Sequence, residues 1–386
     1  MYDRVICIPA CQEYHYLPEA LDSLSQLPYR KLVLVSNNCR IDSTEEVKRD
    51  NHQLHEWILQ FPHRQNGNRY EIQYPNIDIL YFDHSHDPWF FTPRQGVGLA
   101  RKNLATEAIR LIEAGLVQSK WIWCSDADVL FPMNYLEEPS QKNGTVLFGY
   151  FHRPAPPELL LYEASLRYYS LGLKKAGYPL AFPTIGSTIC IHKDTYLKSH
   201  GFSDRQAAED FYLLNKAAKI HPVHYSKECT ITIKGRPSSR VPFGTGQAMQ
   251  SIKADNCTLN SYAPVIFERL ETWVDALYHC SDSELLPRLQ HLVPDYPYFK
   301  KFQKVLRQKA NPRTSIRRRF EFFDPFQVMR FIHHLRDHHH PSIPLQEALQ
   351  TASFIDSYHS TQSLEDLQQD LYQEEKSILR GQNYHL

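Results

Sequence analysis

The feature of this 386-residue chain that most constrains its fold is an alternation of short apolar runs with helical patterns over roughly the first 250 residues. The apolar runs are rich in β-branched residues, and the segments between them have the spacing of amphipathic helices. Each run is almost continuously apolar, which is typical of strands in a parallel sheet that helices cover on both faces. The alternation therefore predicts a doubly wound α/β domain with a mostly parallel sheet.

The predicted elements follow from these runs. Strands are expected at residues 4–10, 31–35, 77–82, 121–124 and 145–151. Helices are expected at residues 17–27, 44–61 and 98–114. Ligands of such sheets bind beyond the carboxyl ends of the strands, so the residues that follow each strand are the first candidates for a site.

Beyond about residue 250 the strand-like pattern fades, which predicts a helical C-terminal region at residues 251–386. Its helices, separated by Pro and Ser, are expected at residues 262–280, 283–292, 298–309, 324–336 and 345–357. The first domain is expected to span residues 1–250.

Composition narrows the classes of protein. The 43 Lys and Arg balance the 43 Asp and Glu, whereas a protein that coats nucleic acid needs a basic excess, so no nucleic-acid partner is expected. An apolar fraction of 42% excludes wholesale disorder. The apolar runs are far shorter than the roughly 20 residues of a membrane helix, and the first residues lack a signal-peptide pattern. We predict a soluble, cytoplasmic, globular protein with reduced cysteines.

One stretch of the C-terminal region is strongly basic. Residues 300–319 contain nine Lys or Arg and no Asp or Glu. A solvated helix face is the favoured interpretation. The alternative is a docking surface for an anionic partner, which would place the protein peripherally on the inner face of an anionic membrane.

Two acidic motifs are candidates for chemistry. Asp126 and Asp128 directly follow a predicted strand, where two neighbouring carboxylates repel unless a divalent cation lies between them. Glu209 and Asp210 lie in a helical stretch, and their side chains point about 100° apart, so only one faces a given pocket. A carboxylate that faces a pocket can act as a general base toward a hydroxyl. Capping or exposed carboxylates would give the same patterns.

With the segments at residues 5–13, 36–44, 96–102 and 186–187, these two motifs occur in an order that resembles one enzyme family. The chain is similar to a family-2-type glycosyltransferase with the GT-A fold over about residues 1–245. The strand with Pro9 and Glu13 resembles the opening of the nucleotide pocket, and Asp126-Ala127-Asp128 falls on the family's D-x-D motif. The resemblance identifies residues 1–250 as a GT-A nucleotide-sugar-binding catalytic domain and leaves acceptor or partner binding for residues 251–386.

The resemblance implies an inverting, non-processive transfer from a nucleotide-sugar donor to a hydroxyl acceptor, which would be a saccharide, a lipid-linked acceptor or a small molecule. By carry-over, Asp128 and Asp126 hold Mn²⁺ or Mg²⁺. Asp210 is the base, and its neighbour Glu209 contacts the acceptor. The residues expected to bind the donor are Pro9, Glu13, Asn37, Asn38, Arg101 and Asp126.

The sequence also departs from the family. The loop after the second strand carries Asn37 and Asn38 where the family often has an Asp that pairs with the base of the nucleotide. The Q-x-x-R-W signature of processive polysaccharide synthases is absent. The aromatic-rich loops at residues 150–183 and the helical tail are expected to select the acceptor.

Further candidates lie after the second acidic motif. Arg236 and Arg240 stand in a Pro-bounded, Gly-containing loop that could close on donor phosphates. His224, with His221 as its alternative, is the candidate for a third metal ligand, by carry-over from GT-A enzymes with a late His. A cluster of five further histidines comprises His333, His334, His338, His339 and His340. His334 and His338 lie one helical turn apart and could form a transition-metal pair, but no acidic or Cys partner is near them in the sequence, so a polar surface patch is the favoured interpretation.

Two other functions fit parts of the pattern. A nucleotidyltransferase that makes an activated sugar would need a Gly-rich, basic loop after the first strand, and this chain has neither feature there. A GT-A domain that binds a nucleotide sugar without turnover is the second alternative, which the presence of Asp126, Asp128 and Asp210 disfavours. A dehydrogenase is disfavoured because Arg101 occupies the third glycine position of G-x-G-x-x-G.

Overall fold

A computed structural model of the chain describes residues 1–235, 245–255, 257–307 and 311–386. The chain forms two compact units. The first comprises Met1–Ala155 and Thr184–Gly244, and the second comprises Pro156–Pro183 and Thr245–Leu386. The second unit therefore includes a segment from the middle of the sequence as well as the C-terminal region.

The elements are numbered in chain order. The strands are β1 (Arg4–Ala10), β2 (Lys31–Asn38), β3 (His63–Asn66), β4 (Arg69–Tyr74), β5 (Ile77–His84), β6 (Trp121–Cys124), β7 (Val129–Leu130), β8 (Thr145–His152), β9 (Ile189–His192), β10 (Val223–Ile233), β11 (Asn260–Ser261), β12 (Ile343–Pro344) and β13 (Asn383–Tyr384). The helices are α1 (Leu17–Ser25), α2 (Glu45–Ile58), α3 (Val97–Glu113), α4 (Pro157–Lys175), α5 (Lys193–Lys198), α6 (Glu209–Ala217), α7 (Thr245–Ala254), α8 (Pro264–His279), α9 (Asp282–Leu292), α10 (Phe299–Leu306), α11 (Pro312–Phe322), α12 (Pro325–His338), α13 (Leu345–Thr351) and α14 (Leu364–Ile378).

The first unit is built on one sheet with the strand order β10-β8-β9-β6-β1-β2-β5-β4-β3. Strands β6, β1, β2 and β5 are parallel to one another, and β10 is parallel to β8. Strand β9 runs antiparallel between β6 and β8, and β3 and β4 form a hairpin at one edge. The structure confirms a mixed α/β architecture with a mostly parallel central sheet.

Alternation along the central strands explains how helices cover the sheet. Ile6 and Ile8 of β1 share one core cluster with Leu21 of α1 and Leu54 of α2. Successive side chains of a strand point to opposite faces, so Cys7, which is also buried, faces the other side, where α3 packs against β1 and β2. Helices therefore flank the sheet as predicted.

The second unit is mainly helical, which confirms the helical C-terminal region. Helix α4 packs against α7, α8 and α14, and Trp273 of α8 is almost fully buried among aromatic rings. The loops predicted at residues 150–183 are largely this helix, and the aromatic side chains of Tyr168 and Tyr178 are core residues rather than exposed platforms. In the part of the chain that the structure describes, no helix combines the length and apolarity that crossing a membrane requires.

Candidate functional site

The carboxyl ends of the parallel strands of the first unit meet at one edge of the sheet. In the strand register, Ala10 of β1 lies beside Asn37 of β2, which lies beside Asp83 of β5. After β6 the Ser125 N–H donates to the Cys7 carbonyl oxygen at 3.0 Å, which holds the next turn against β1. This turn carries the predicted acidic pair, so the pair lies at the edge where such sheets bind ligands.

Arg101 of α3 joins the two predicted acidic motifs. Its side chain is almost fully buried, its Nη2–H donates to Asp126 Oδ1 at 2.6 Å, and its Nε–H donates to Glu209 Oε1 at 2.9 Å. Its Nη1–H donates to the Ser125 carbonyl oxygen at 3.1 Å. Arg101 therefore positions both carboxylates from inside the protein, and its three donor nitrogens have protein acceptors.

Three carboxyl groups act on the guanidinium of Arg101. Burial acts to lower the pKa of Arg101, but the carboxylates of Asp126 and Glu209 outweigh it and raise the pKa above its ordinary value. Burial raises the pKa of Asp210 to about 7, and the Glu209 carboxylate adds to the rise. Among the described residues, the guanidinium of Arg101 thus interacts with three carboxyl groups, those of Asp126, Glu209 and Asp210.

The start of α6 fixes the direction of the second acidic motif. Ala208, the residue before the helix, has a left-handed φ of 61°, which turns the chain sharply into α6. Glu209 then points to Arg101, while Asp210 Oδ1 accepts a 2.7 Å hydrogen bond from the Phe211 N–H. The two side chains face different surroundings, as their helical spacing predicts. Arg205, in the segment before the helix, lies with its guanidinium over the ring of Tyr212, 4.2 Å from the ring centre.

Glycines hold the segment before α6 against the start of α3. The Gly98 N–H donates to the Arg205 carbonyl oxygen at 3.2 Å, and a Cβ on Gly98 would lie 2.2 Å from the Ser203 carbonyl oxygen. A Cβ on Gly186 would lie 2.6 Å from Arg101 Nη2. Residues 96–102 are one of the segments that carry the family resemblance, and their glycines permit the close approach that places the acidic residues of α6.

Asp128 lies in the same turn as Asp126 and is half-buried. Its carbonyl oxygen accepts a 2.8 Å hydrogen bond from the Lys234 N–H, and β7, which follows it, pairs with the end of β10. Ala127 between the two aspartates is fully buried and anchors the turn. The backbone around Asp128 is therefore fixed at the edge of the sheet.

Two asparagines are predicted to bind the donor. In the structure, the side chains of both make hydrogen bonds inside the protein. Asn37 donates from Nδ2 to Tyr81 Oη at 2.8 Å and to the Asn51 carbonyl oxygen at 2.9 Å. Asn38 donates from Nδ2 to the Ala10 carbonyl oxygen at 3.0 Å. Both residues are buried, as are Pro9 and Glu13 at the end of β1. All four lie at or next to the predicted edge.

A polar network around the buried carboxylate of Asp83, beside Asn37, was not predicted from the sequence. The Asp83 carboxylate accepts hydrogen bonds from Ser85 Oγ at 2.5 Å and from the Ser85 N–H at 3.0 Å. His86 Nδ1 lies 2.7 Å and His55 Nδ1 lies 3.0 Å from Asp83 Oδ2. Burial lowers the pKa of His55, and Asp83 opposes this effect. An acidic residue near the carboxyl end of a parallel strand, followed by Ser and His, was the available signal.

The structure separates His224 from the acidic pair. His224 is the second residue of the 11-residue strand β10, whereas Ile233 at the other end pairs with Val129, next to Asp128. In the pairing with β8, His224 lies beside Val146 and Ile233 beside His152. Because a strand rises about 3.3 Å per residue, roughly 20 Å lie between the two ends. The alternative, His221, lies next to the start of the same strand, with its Nδ1 2.8 Å from Thr195 Oγ1. The structure therefore does not bring His224 or His221 next to Asp128, and a third metal ligand from this strand stays a prediction.

Arg236 and Arg240, the arginines predicted to close on donor phosphates, lie outside the described residues.

Comparisons with known proteins add little to this geometry. No family model and no curated protein matches the chain. Among solved structures, the crystal structure of S. aureus TarS residues 1–349 is similar with a TM-score of 0.35 and 10% sequence identity, over 97% of this chain and 90% of that chain. At this TM-score the likeness carries no argument, and the function is inferred from the site itself.

Proposed function

We propose that the protein is a metal-dependent, inverting glycosyltransferase of the GT-A type, which moves a sugar from a nucleotide-sugar donor to a hydroxyl acceptor without processive synthesis. The observation that carries the proposal is the carboxyl cluster around Arg101, in which Asp126, Glu209 and Asp210 face one guanidinium at the ligand-binding edge of a mostly parallel sheet. The order of the two acidic motifs and the neighbouring segments along the chain resembles that of family-2-type glycosyltransferases, which supports the same function.

The residues at this edge fit a hard divalent cation. Asp128 and Asp126 would hold Mn²⁺ or Mg²⁺, because both ions prefer oxygen ligands and the two carboxylates lie in one turn at the ligand-binding edge of the sheet. When bound, the cation would neutralise the charge that develops on the diphosphate leaving group. Arg101 keeps Asp126 in place from behind, since its Nη2 lies 2.6 Å from Asp126 Oδ1.

Asp210 is the proposed general base. Its raised pKa means that the ionised carboxylate has a high proton affinity, which suits proton removal from an acceptor hydroxyl near neutral pH. Glu209, held by Arg101 Nε, would position the acceptor side of the site. Pro9, Glu13, Asn37 and Asn38 border the proposed donor site, and their roles in it stay part of the proposal.

The helical second unit is proposed to bind the acceptor or a partner. Its basic stretch at residues 300–319 is divided between α10 and α11, with residues 308–310 outside the described part. Arg319 is buried and donates to the carbonyl oxygens of Leu277 and Cys280, so it belongs to the core of the unit. The remaining basic residues could contact an anionic membrane, a proposal that fails if the protein ignores anionic liposomes at low salt.

A thermal-shift screen tests the donor site without knowledge of the acceptor. The ligands are UDP, GDP, CDP, ADP and their sugars, each with and without Mn²⁺. We expect one nucleotide to raise the melting temperature in a Mn²⁺-dependent manner, because a ligand that binds only the folded protein stabilises it by mass action.

Matched variants sharpen the screen. Asp128→Asn should abolish the Mn²⁺-dependent part of the shift, whereas Asp204→Asn should retain it, since Asp204 is an exposed carboxylate that pairs with Lys102 at 2.7 Å. An absence of any shift with every nucleotide, or an equal shift in Asp128→Asn, would contradict the proposal.

A further inference from the structure

A cluster of metal-binding side chains lies in the second unit, in a part of the chain that the proposed reaction does not use. Asp295 follows α9, His334 lies within α12 and His339 follows that helix. His339 Nε2 lies 3.0 Å from both carboxylate oxygens of Asp295, and His334 Nε2 lies 3.3 Å from Asp295 Oδ2. Among the described residues, these three form the one group of at least three such ligands with all ligand atoms within 4.8 Å.

The hydrophobic core of the unit positions the cluster. Phe331, on the buried face of α12, packs against Trp273 of α8 with ring centres 4.6 Å apart and against Tyr296 at 5.4 Å. Tyr296 is the residue after Asp295, and its ring lies 5.8 Å from that of His334. Because these rings are buried, the backbone that carries Asp295 is held beside α12.

The end of α12 brings the third ligand to the same place. The helix ends at His338, and the N–H groups of His339 and His340 both donate to the Leu335 carbonyl oxygen, at 2.9 and 2.8 Å. His339 therefore leaves the helical path directly after the last turn, and its side chain returns toward Asp295.

The distances fit a tetrahedral metal ion. Zinc bonds of about 2.0–2.2 Å to His nitrogen and carboxylate oxygen, at a tetrahedral angle, place neighbouring ligand atoms about 3.3–3.5 Å apart. The nitrogen–oxygen distances from Asp295 to the two histidines, 3.0 and 3.3 Å, are close to that separation. His334 supplies an independent observation, since its side chain is only 10% exposed and its Nε2 makes no hydrogen bond with the described residues although it faces Asp295.

The type of ligand selects the metal. Two imidazoles and one carboxylate suit Zn²⁺, whereas Mg²⁺ and Ca²⁺ prefer ligand sets made of oxygen alone. The exposed side chains of Asp295 and His339 leave one side of the group open to solvent, where water can supply a fourth ligand.

We propose that Asp295, His334 and His339 bind Zn²⁺ and that the ion clamps the end of α12 to the segment between α9 and α10. The site is distinct from the proposed donor site in its residues and in its preferred metal. Its role is structural, because it closes the segment that contains α10 and α11 into one clamped loop of the helical unit.

Zinc titration of the metal-free full chain, followed by isothermal calorimetry, tests the proposal. All variants carry Asp128→Asn, so that the proposed donor-site metal does not contribute. We expect one Zn²⁺ per chain, and we expect Asp295→Asn and His339→Gln to weaken binding by at least about tenfold, since loss of even an outer partner of a metal ligand costs 10–100-fold. His340→Gln and Asp337→Asn are the matched controls and should bind as tightly as the parent.

Two further measurements keep the test decisive. Circular dichroism of each metal-free variant shows whether it is folded, and His339→Gln alone suffices if Asp295→Asn unfolds. The Co²⁺-substituted protein should lack thiolate charge-transfer absorption, which distinguishes this site from cysteine sites. Failure to bind Zn²⁺, equal weakening in the two controls, or thiolate absorption would overturn the proposal, and none of these outcomes would affect the nucleotide screen.

Discussion

Arg101 in the first unit and Arg167 in the second are both buried arginines that bridge two carboxylates from different parts of the sequence. Arg167 of α4 pairs with Glu163 of the same helix at 2.6 Å and with Glu375 of α14. All three side chains of this second cluster are at most 1% exposed. In the Arg101 cluster, by contrast, Asp126 is 34% exposed and can reach a ligand.

The two clusters also differ in the charged groups that surround each arginine. A second arginine, Arg380, lies near the Arg167 cluster, and both guanidinium groups lie over the ring of Tyr372 at about 5.5 Å. Two buried arginines therefore accompany Glu163 and Glu375. Among the described residues, Arg101 interacts with the carboxyl groups of Asp126, Glu209 and Asp210, and the pKa of Asp210 is raised.

The comparison teaches that a buried arginine with two acidic partners does not by itself indicate a site. Where the charges balance and water is excluded, the cluster fastens helices together. Where one carboxylate is exposed at a sheet edge and the pKa of its neighbour is raised, the cluster can bind a cation or accept a proton. The predictions below test this distinction.

Replacement of Asp210 should have the largest effect of all. In Asp210→Asn the amide cannot accept a proton, so turnover of the donor identified by the nucleotide screen should fall by about 10²–10⁴-fold. The nucleotide-dependent thermal shift should persist, because the proposed metal ligands are unchanged. Release of nucleoside diphosphate measures turnover, with Asp204→Asn as the control, and parent-like turnover in Asp210→Asn would remove Asp210 from the mechanism.

Removal of the buried cation should be the largest stability effect. Arg167→Met leaves Glu163 and Glu375 without their shared guanidinium, and loss of one partner from a buried ionic cluster costs about 3–5 kcal/mol. Urea denaturation followed by circular dichroism measures the loss. Lys175→Met removes a surface cation of the same helix, 3.2 Å from Glu271, and should cost at most about 1 kcal/mol. Similar losses of unfolding free energy in the two variants would show that the Arg167 cluster does not stabilise the packing of α4 against α14.

The pH dependence of stability should distinguish the two clusters next. Because the pKa of Asp210 is raised from 3.8 to about 7 in the folded protein, its ionisation costs the folded state little below pH 4, increasingly between pH 4 and 7, and fully above pH 7. In metal-free buffer, Asp210→Asn should therefore melt above the parent at pH 8, and this advantage should shrink toward pH 4. An advantage that stays constant with pH, or that Asp204→Asn shares, would contradict the raised pKa.

Crowding of Arg101 should have the smallest effect. In Gly186→Ala the new Cβ would lie 2.6 Å from Arg101 Nη2, and the guanidinium must shift at a cost of about 0.5–1.5 kcal/mol, as for an off-rotamer side chain. Gly98→Ala should cost more, since its Cβ would lie 2.2 Å from a backbone oxygen. Thermal unfolding of both variants measures the order, and a larger loss in Gly186→Ala would contradict it.

The sequence predicts the elements of the first unit well where burial gives a clear pattern. Strands β1 and β6 have the predicted bounds, because each is a short apolar run between polar residues. Helix α4 was not predicted, since the consecutive buried residues Leu159, Leu160 and Leu161 remove the contrast between a polar and an apolar face. Helices α11 and α14 were also missed. Periodicity fails for α4 because this helix is buried on several sides, a reason that does not apply to α11, whose buried residues are Ser315, Arg319 and Phe320.

For the site, the sequence indicates which residues are candidates but not how far apart their side chains lie in the folded protein. It indicates Asp126, Asp128, Glu209 and Asp210 as candidates, while the pairing of Arg101 with two of them depends on how the loop before α6 folds back. The same limit explains why no acidic partner was predicted for His334 and His339, because Asp295 is distant from them in the sequence. Tertiary contacts between remote residues decide both cases.

The close approach at Gly96 and Gly98 has a consequence for protein engineering. A Cβ on either glycine would lie within 3.0 Å of the backbone at residues 203–206. An engineered chimera should therefore take this loop and the start of α3 from the same parent protein. If Glu209 and Asp210 alone were grafted onto another scaffold, their carboxylates would lack the loop and the glycine turn that orient them. The transferable unit is the glycine turn with the loop that rests on it, and recombination between related chains should be tolerated only where it leaves the two on the same parent.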